Sequence, residues 1–328
     1  MEISKKNIIV WSTLGQRATY GQVLYELAKE RDDFFVMSAD VGTSSGLKRF
    51  AEEIPDRYMN VGIAEQNLVS IASGMAKEDT TVFVSSFSTF MSMRAYEQLR
   101  VDAAYMHNNV RAVGIVSGVS AAYQGNTHFG LEDAAVMRCI PGMTVVEPAD
   151  CLEVFKTVQA SLDYDGPMYI RLTGVTRMPS VYKQDYEFEI GKGIKLADGE
   201  DVLIVATGSM VYNALQAAKK LVDDGISSTV VNMHTIKPLD KNILLENLLG
   251  KKLVVTVEEH ITIGGLGSAV AEALADVKDK PSQILIGLPN EFLKSAAYTE
   301  LLDHYGLSTD KIMERIKIEL NKIERIEL

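Results

Sequence analysis

The sequence predicts an α/β protein made of two consecutive parallel-sheet domains, and three observations carry that expectation. Short β-rich runs alternate with amphipathic helical segments along most of the chain. Several of the strands are continuous apolar runs, as strands buried on both faces of a parallel sheet are. At 328 residues the chain is also too long for one typical core, and its pattern lapses once, between about residues 178 and 200.

Taken in order, Arg17 to Arg31 has helical spacing, and Phe34-Phe35-Val36-Met37 reads as a strand ending in Ser38-Ala39-Asp40. A buried helix is expected after residue 66, from the spacing of Leu68, Ile71, Ala72 and Met75. The strand Thr81 to Val84 follows, then a helix from about Thr89 to Met106, the strand Val110 to Val116 and a small-residue loop from Gly118 to Phe129. A helix over Asp150 to Ser161 and a strand over Met168 to Arg171 complete a first domain, residues 1–180. Pro179, Gly191, Gly193 and Asp198-Gly199 mark a linker, residues 181–200. In the second domain, residues 201–328, strands are expected at 202–206, 229–232 and 253–257, with a charged amphipathic helix from Thr309.

Composition narrows the function classes. A net charge of −11 argues against a nucleic-acid surface or an anionic membrane as partner. It leaves room for one small phosphorylated ligand, because local donors outweigh global charge in a pocket. The only cysteines, Cys139 and Cys151, have no metal-ligand spacing and suit a reducing compartment. With a charged start (Met1 to Asn7) and no 18-residue apolar run, the expectation is a cytoplasmic protein.

Among the motifs, Gly264-Gly265-Leu266-Gly267 does not complete a dinucleotide fingerprint and reads as a packing turn. His107, His234, His260 and His304 have surface or supporting roles in this reading. His128 differs, because it lies in the polar loop Gln124 to Gly130 after a strand, where α/β folds place ligand contacts. Phe90, Met93 and Tyr96 recur every three residues and form an apolar stripe, either core or one wall of a pocket for a flat heterocycle. The run Val61-Gly62-Ile63-Ala64-Glu65-Gln66-Asn67 sets one acid at the start of a buried helix. Glu65 is therefore either a satisfied cap or a carboxyl held in apolar surroundings to raise its pKa.

These pieces, in their order and spacing, resemble the C-terminal half of transketolase across nearly the full chain. The matching segments include Arg17 to Gly21, Ser38-Ala39-Asp40, Val61 to Asn67, Ser88-Thr89-Phe90, Arg94-Ala95-Tyr96 and Gly125 to His128. Further on come Leu131-Glu132-Asp133, Pro148-Ala149-Asp150 and Gly166 to Arg171. The resemblance implies a pyrimidine-binding domain of the thiamine-diphosphate-binding fold, followed by a transketolase C-terminal domain. It implies thiamine diphosphate as cofactor and transfer of a two-carbon ketol unit from a ketose to an aldose. In that family the other half binds the diphosphate through Mg2+ with a Gly-Asp-Gly motif and a downstream Asn, and this chain has no Gly-Asp-Gly. The expectation is therefore one subunit of a split enzyme, inactive alone and active with an N-terminal subunit carrying Gly-Asp-Gly…Asn in an α2β2 heterotetramer.

The resemblance also assigns residues. Glu65 matches the glutamate that hydrogen-bonds the aminopyrimidine ring, with Ile63 on its apolar approach. Phe90, Met93 and Tyr96 match the pyrimidine wall, with Met93 where the family often has an aromatic, and Phe87 is expected as an additional contact. His128 matches a histidine at the sugar hydroxyls and carbonyl, Arg17 and Ser44 match contacts to the acceptor phosphate, and Asp40 matches a structural acid near the subunit interface. Three positions depart from the family pattern. Gln124 stands for the aspartate that reads the hydroxyl beside the carbonyl, Val116 for a phosphate-contacting histidine, and Gly174 for a phosphate-contacting arginine. Those departures predict a non-standard sugar substrate. Alternatives within enzymes are an acyloin synthase resembling deoxyxylulose-phosphate synthase, or the β-type E1 subunit of a 2-oxo-acid dehydrogenase. The non-enzymatic alternative is a regulatory or scaffolding protein derived from this fold.

Overall fold

In the computed structural model, which describes residues 2–327, twelve strands form two sheets. The first six strands are β1 (Phe34–Ser38), β2 (Tyr58–Asn60), β3 (Thr81–Phe87), β4 (Val110–Ser117), β5 (Thr144–Val146) and β6 (Met168–Thr173). The remaining six are β7 (Ile194–Ala197), β8 (Val202–Ala206), β9 (Ser228–Asn232), β10 (Thr235–Lys237), β11 (Leu253–Ile261) and β12 (Ser282–Leu288). The first sheet runs β10-β5-β6-β4-β3-β1-β2 and the second β12-β11-β8-β9-β7. Pairing is parallel throughout, apart from the antiparallel edges β10 on β5 and β7 on β9. Central strands β3, β4, β6, β8 and β11 are buried along almost their whole length, which explains their unbroken apolar character.

In the first sheet the chain passes from β1 to the edge strand β2 and returns to β3 on the other flank of β1. The crevice at the carboxyl ends of β1 and β3 is therefore a topological switch point, where open α/β sheets bind ligands. The segments entering that crevice are those that follow β1, β2, β3 and β4.

Four features differ from the sequence reading. A helix at Lys5–Leu14, capped by Ser4, packs Trp11 flat on Phe155 with ring centroids 5.3 Å apart. The helix expected over 89–106 is broken into Ser88–Arg94, Tyr96–Gln98 and a π-helical turn at Leu99–Tyr105. The turn-rich segment read as a linker contains β7, and β10 leaves the second half of the chain to pair with the first sheet. Finally, β11 runs four residues beyond Val257, through Glu258-Glu259-His260, all buried. The Glu258 carboxylate accepts the N–H groups of Leu266 (2.6 Å) and Gly267 (2.8 Å), so a side chain of the protein itself fills the glycine-rich turn.

One apolar cluster runs through both sheets, from Ile8 and Trp11 to Ile316 and Leu320. Polar groups stitch the same seam. Asp150 caps the helix Cys151–Leu162 and also accepts the N–H groups of Val181 and Tyr182. Glu153 accepts Ala149 N–H at 2.6 Å and Asn232 Nδ2 at 2.9 Å, tying the first sheet's helix to β9. His234 and His260 are buried here, not on the surface.

Burial pushes the carboxyls of Glu153 and Glu258 up to about 7. It drives the imidazoles of His234 and His260 down to about 4. The two effects have opposite signs. Raised carboxyls stabilise the fold below their unfolded pKa of about 4.3 and lose that contribution as pH rises through about 7. Depressed histidines favour the fold as pH rises towards their unfolded value of about 6.5. Below pH 6.5 the terms compete; above it only the carboxyl term remains. The urea midpoint of the isolated chain is expected to fall between about pH 6.5 and 8, and Glu258→Gln to flatten that decline. A midpoint that rises across this window would contradict the assignment.

Candidate functional site

Asn60, at the end of β2, fixes the entrance to the crevice. Its Oδ1 accepts the N–H groups of Asp40 and Gly62, each at 3.0 Å, joining the loops after β1 and β2. Gly62 takes φ 75° within this turn, and the helix Glu65–Met75 begins three residues later. Glu65 is 5% exposed. Its Oε1 accepts the Ser86 hydroxyl at 3.2 Å and Arg94 Nη1 at 3.2 Å, and the same nitrogen lies 3.4 Å from Oε2. The structure thus departs from both sequence alternatives for this acid: the carboxylate turns towards β3 and an arginine, and its surroundings are not purely apolar.

Phe87 ends β3 and Phe90 lies one turn into the helix Ser88–Arg94. Their rings meet edge to face at 5.7 Å, and the His128 ring packs against both at 5.4 Å. The Arg94 guanidinium carbon stands 3.9 Å from the centroid of the Phe90 ring while its nitrogen reaches Glu65. Beside Glu65 opens a hollow of about 680 Å3 lined by Ile63, Glu65, Asn67, Met93 and Arg94 among others. Ile63 is 75% exposed and Met93 43%, and with Gln66, Asn67 and Arg94 they give this hollow a mixed rim. Tyr96 is not on that rim. Ala95 leaves helical geometry (φ −99°, ψ 16°), the three-residue stripe stops at Met93, and Tyr96 is partly buried against the first sheet's apolar core.

Arg17, Ser44 and Gly174 meet at a second cluster. Arg17 donates to the backbone carbonyls of Ser44 (2.9 Å) and Gly174 (3.2 Å), and burial lowers its pKa from the ordinary arginine value. Asp40 (φ 59°) and Ser44 line a separate hollow of about 340 Å3 with Thr43, Lys48, Tyr58 and Asn60. Gln124 is exposed on the loop that carries His128, whose Nδ1 lies 2.9 Å from Thr127 Oγ1. Val116 takes φ 60° where the register of β4 on β6 shifts, an unusual state for a β-branched residue. Its Cγ1 fills the space beside Gly174, where an added Cβ would sit 3.1 Å from it and 3.1 Å from Ser120 Oγ.

Sequence reasoning gave no role to Arg94, Ser86 or Ser120. Arg94 follows Phe90 by four residues on one helix, so its stacking was legible from spacing. Its contact with Glu65 spans 29 positions and had no local signal.

Two family descriptions match this chain: "Transketolase, pyrimidine binding domain" over residues 12–174, and "Transketolase, C-terminal domain" over residues 191–312. The chain belongs to the transketolase family. It is 41% identical to a Methanocaldococcus jannaschii protein described as a transketolase C-terminal section, over 94% of this chain and 97% of that one. It is 38% identical to the 6-deoxy-6-sulfo-D-fructose transketolase subunit SqwH of Clostridium sp., over 90% and 92% of the two chains. It is likewise 38% identical to an apulose-4-phosphate transketolase subunit of Phocaeicola vulgatus, over 90% and 94%. Among solved structures, a split-gene transketolase described as an inactive β4 tetramer superposes with a TM-score of 0.85 at 37% identity, over 94% and 98%.

Transketolases are thiamine-diphosphate-dependent transferases, and the residues present fit the pyrimidine half of that cofactor. A buried carboxylate opens on a hollow of sufficient size, with exposed Ile63 and Met93 on its rim and Arg94 linking it to the Phe87–Phe90 ring pair. No group of three or more histidine, cysteine or acidic side chains suited to a metal ion occurs among the described residues. No described helix is long and apolar enough to cross a membrane.

The strained Val116 yields a stability test on this transketolase-family chain. Truncating a buried valine ordinarily removes about 1.5–3 kcal/mol of burial. Releasing a β-branched residue from left-handed backbone recovers about 1–3 kcal/mol. Val116→Gly is therefore expected to change unfolding free energy by less than about 1 kcal/mol in urea titration, whereas Val113→Gly, buried in the regular part of β4, loses at least twice that. Equal losses at both positions would show that Val116 carries no strain.

Proposed function

We propose that this chain is the C-terminal subunit of a two-piece transketolase that moves a two-carbon ketol unit between a ketose and an aldose, at least one of them a non-standard sugar. The observation that carries this reading is Glu65, a buried acid opening on a hollow whose rim bears the exposed apolar side chains of Ile63 and Met93. Thiamine diphosphate, when bound, supplies the acyl-anion chemistry. Glu65 would hold a proton at the aminopyrimidine ring nitrogen, with Ser86 and Arg94 orienting its two oxygens. Phe87 and Phe90 give the ring an apolar wall, and Ile63 and Met93 extend it to the edge of this subunit. His128, held edge-on by both phenylalanines, would meet the sugar's hydroxyl and carbonyl region.

The remaining machinery belongs to a partner. An N-terminal subunit with Gly-Asp-Gly…Asn would bind the diphosphate through Mg2+, in an α2β2 assembly. At the substrate tail, Arg17 and Ser44 would offer one cation and one hydroxyl, while Val116 and Gly174 contribute no charge. That reduced anion site, with Gln124 in place of an acid, supports a sugar whose tail or branching differs from common sugar phosphates. The named substrates of two relatives, a sulfo-deoxyfructose and apulose 4-phosphate, are of that unusual kind.

The test mixes the purified chain with a Gly-Asp-Gly-bearing transketolase subunit, thiamine diphosphate and Mg2+, and follows ketol transfer across a panel of ketoses and aldoses. Activity is expected only in the mixture. Glu65→Gln should lower kcat by about 10²–10⁴-fold with assembly intact by size-exclusion chromatography. A Glu65→Gln complex with wild-type turnover would sink the reading, as would failure of every such subunit to bind.

A further inference from the structure

The loop that carries Gln124 and His128 leaves β4 and returns to the first sheet through a single antiparallel bridge. Gly118 N–H donates to Gly130 O at 2.9 Å, and Gly130 N–H to Gly118 O at 3.1 Å. Short-range bonds such as Ala122 N–H to Val119 O (2.9 Å) and Phe129 N–H to Gly125 O (3.0 Å) shape the loop locally, while Tyr123, Gln124, Asn126 and Thr127 stand exposed. The first half of the chain holds it through Gly174 N–H on Ser120 Oγ (2.8 Å) and through the packing of His128 on Phe87 and Phe90, and the second half ties both its base and its tip.

At the base, Glu259 of β11 is buried with both oxygens engaged. Its Oε1 accepts Val119 N–H at 2.8 Å, and its Oε2 accepts the hydroxyls of Ser209 (2.5 Å) and Tyr298 (2.7 Å). The fit around Gly118 is close enough that an added Cβ would collide with Glu259 Oε1. The opposite side of the base is held by Arg171, which donates to Gly130 O at 2.8 Å and to Glu259 O at 2.9 Å. Ile261 N–H then donates to Leu131 O at 3.0 Å.

At the tip, the Asn126 amide pairs reciprocally with the backbone of Leu293. Its Nδ2 donates to Leu293 O at 2.7 Å and its Oδ1 accepts Leu293 N–H at 2.7 Å. Two bonds to one residue's backbone fix both the amide's orientation and the loop's height above it. Beside it, Gly125 adopts φ 70°, ψ −162°, a region open to glycine alone, with Ser295 Oγ 2.5 Å from where a Cβ would be. Gln124 and His128 flank this pinned pair.

We propose that the second half of the chain acts as the positioning device for the 118–130 loop, with Glu259 clamping its base and the Leu293 backbone its tip. Glu259 and Asn126 are positioning residues in this assignment: they set where Gln124 and His128 stand, and the hydrogen bonds that hold Glu65 come from Ser86 and Arg94 instead. The inference rests on the loop's role in substrate binding argued above. It gives the C-terminal domain a part in substrate recognition distinct from the cofactor's binding.

The test compares Asn126→Ala, Glu259→Ala and the conservative Glu259→Gln with wild type, in the isolated chain and in the assembled complex. The amide introduced by Glu259→Gln can keep an acceptor on Val119 N–H, so that substitution serves as the rescue variant. Amide exchange across 119–130 is expected to quicken by about tenfold in both alanine variants, the effect of one or two lost hydrogen bonds, while β3 and β8 stay protected. In the complex, KM for the sugar should rise by about tenfold or more, with the concentration of thiamine diphosphate giving half-maximal activity unchanged within about twofold. Glu259→Gln should restore both readouts towards wild type. Unchanged loop exchange in Asn126→Ala would overturn the proposal, as would loss of protection in β3 and β8 together with the loop in both alanine variants. A wild-type complex that transfers no ketol, with loop exchange still selectively quickened, would defeat the functional reading and leave the clamp standing.

Discussion

The Arg171 side chain is the interaction on which both the fold and the site depend. It is a guanidinium placed in the middle of a buried strand, an expensive location that only a full set of partners can sustain. Nε faces Asp133 at 2.9 and 3.0 Å, Nη1 reaches Glu147, and Nη2 bridges two carbonyls, one from each half of the chain. Tyr169 donates to the same Asp133 at 2.7 Å, completing the acid's shell. Burial pulls the arginine's pKa down, but the two carboxylates outweigh it, so the group stays charged. Because these contacts join β6, the helix after the substrate loop, β11 and the loop's own end, the two sheets cannot shift independently without stranding a buried charge. The seam is therefore specific as well as apolar.

That seam explains the pattern of what could be read in advance. Central strands were legible to within a few residues, because a strand buried on both faces leaves no polar position to confuse the period: 202–206 was read as observed. Glu258-Glu259-His260 was not legible as strand. Three titratable residues in a row look like surface, and the partners that make them tolerable come from residues 119, 209, 266 and 298. β7 and β10 were hidden for a different reason, being four and three residues long and placed at sheet edges, too short for periodicity to register. The helix Lys5–Leu14 was obscured because only Ile8 and Trp11 are buried, and its first turn is Lys5-Lys6-Asn7.

The candidate site divides along the same line. Glu65, Phe87, Phe90 and His128 were assigned by order and spacing against a known family; the structure brings the three rings into mutual contact and links Glu65 to them through Arg94. Tyr96 belonged to the same stripe on an ideal helix, and one non-helical residue, Ala95, redirects it. Arg94 shows the reverse case. Nothing near it in sequence marks it as the partner of an acid 29 positions away, yet its guanidinium lies over Phe90 while one nitrogen reaches Glu65.

The chemical end and the tail end of this crevice are built by different means. Around Glu65 the determinants are side chains touching side chains, so single substitutions act there directly. Around Arg17 they are largely backbone: two carbonyls occupy the guanidinium, a left-handed φ at Val116 turns its side chain inward, and Gly174 is bare because Val116 and Ser120 fill the space. An added Cβ at 174 would crowd Val116 Cγ1 and Ser120 Oγ alike, so a larger residue there requires one of those neighbours to give way. Substitutions around Arg17 therefore act through backbone and packing, whereas those around Glu65 act through direct side-chain contact.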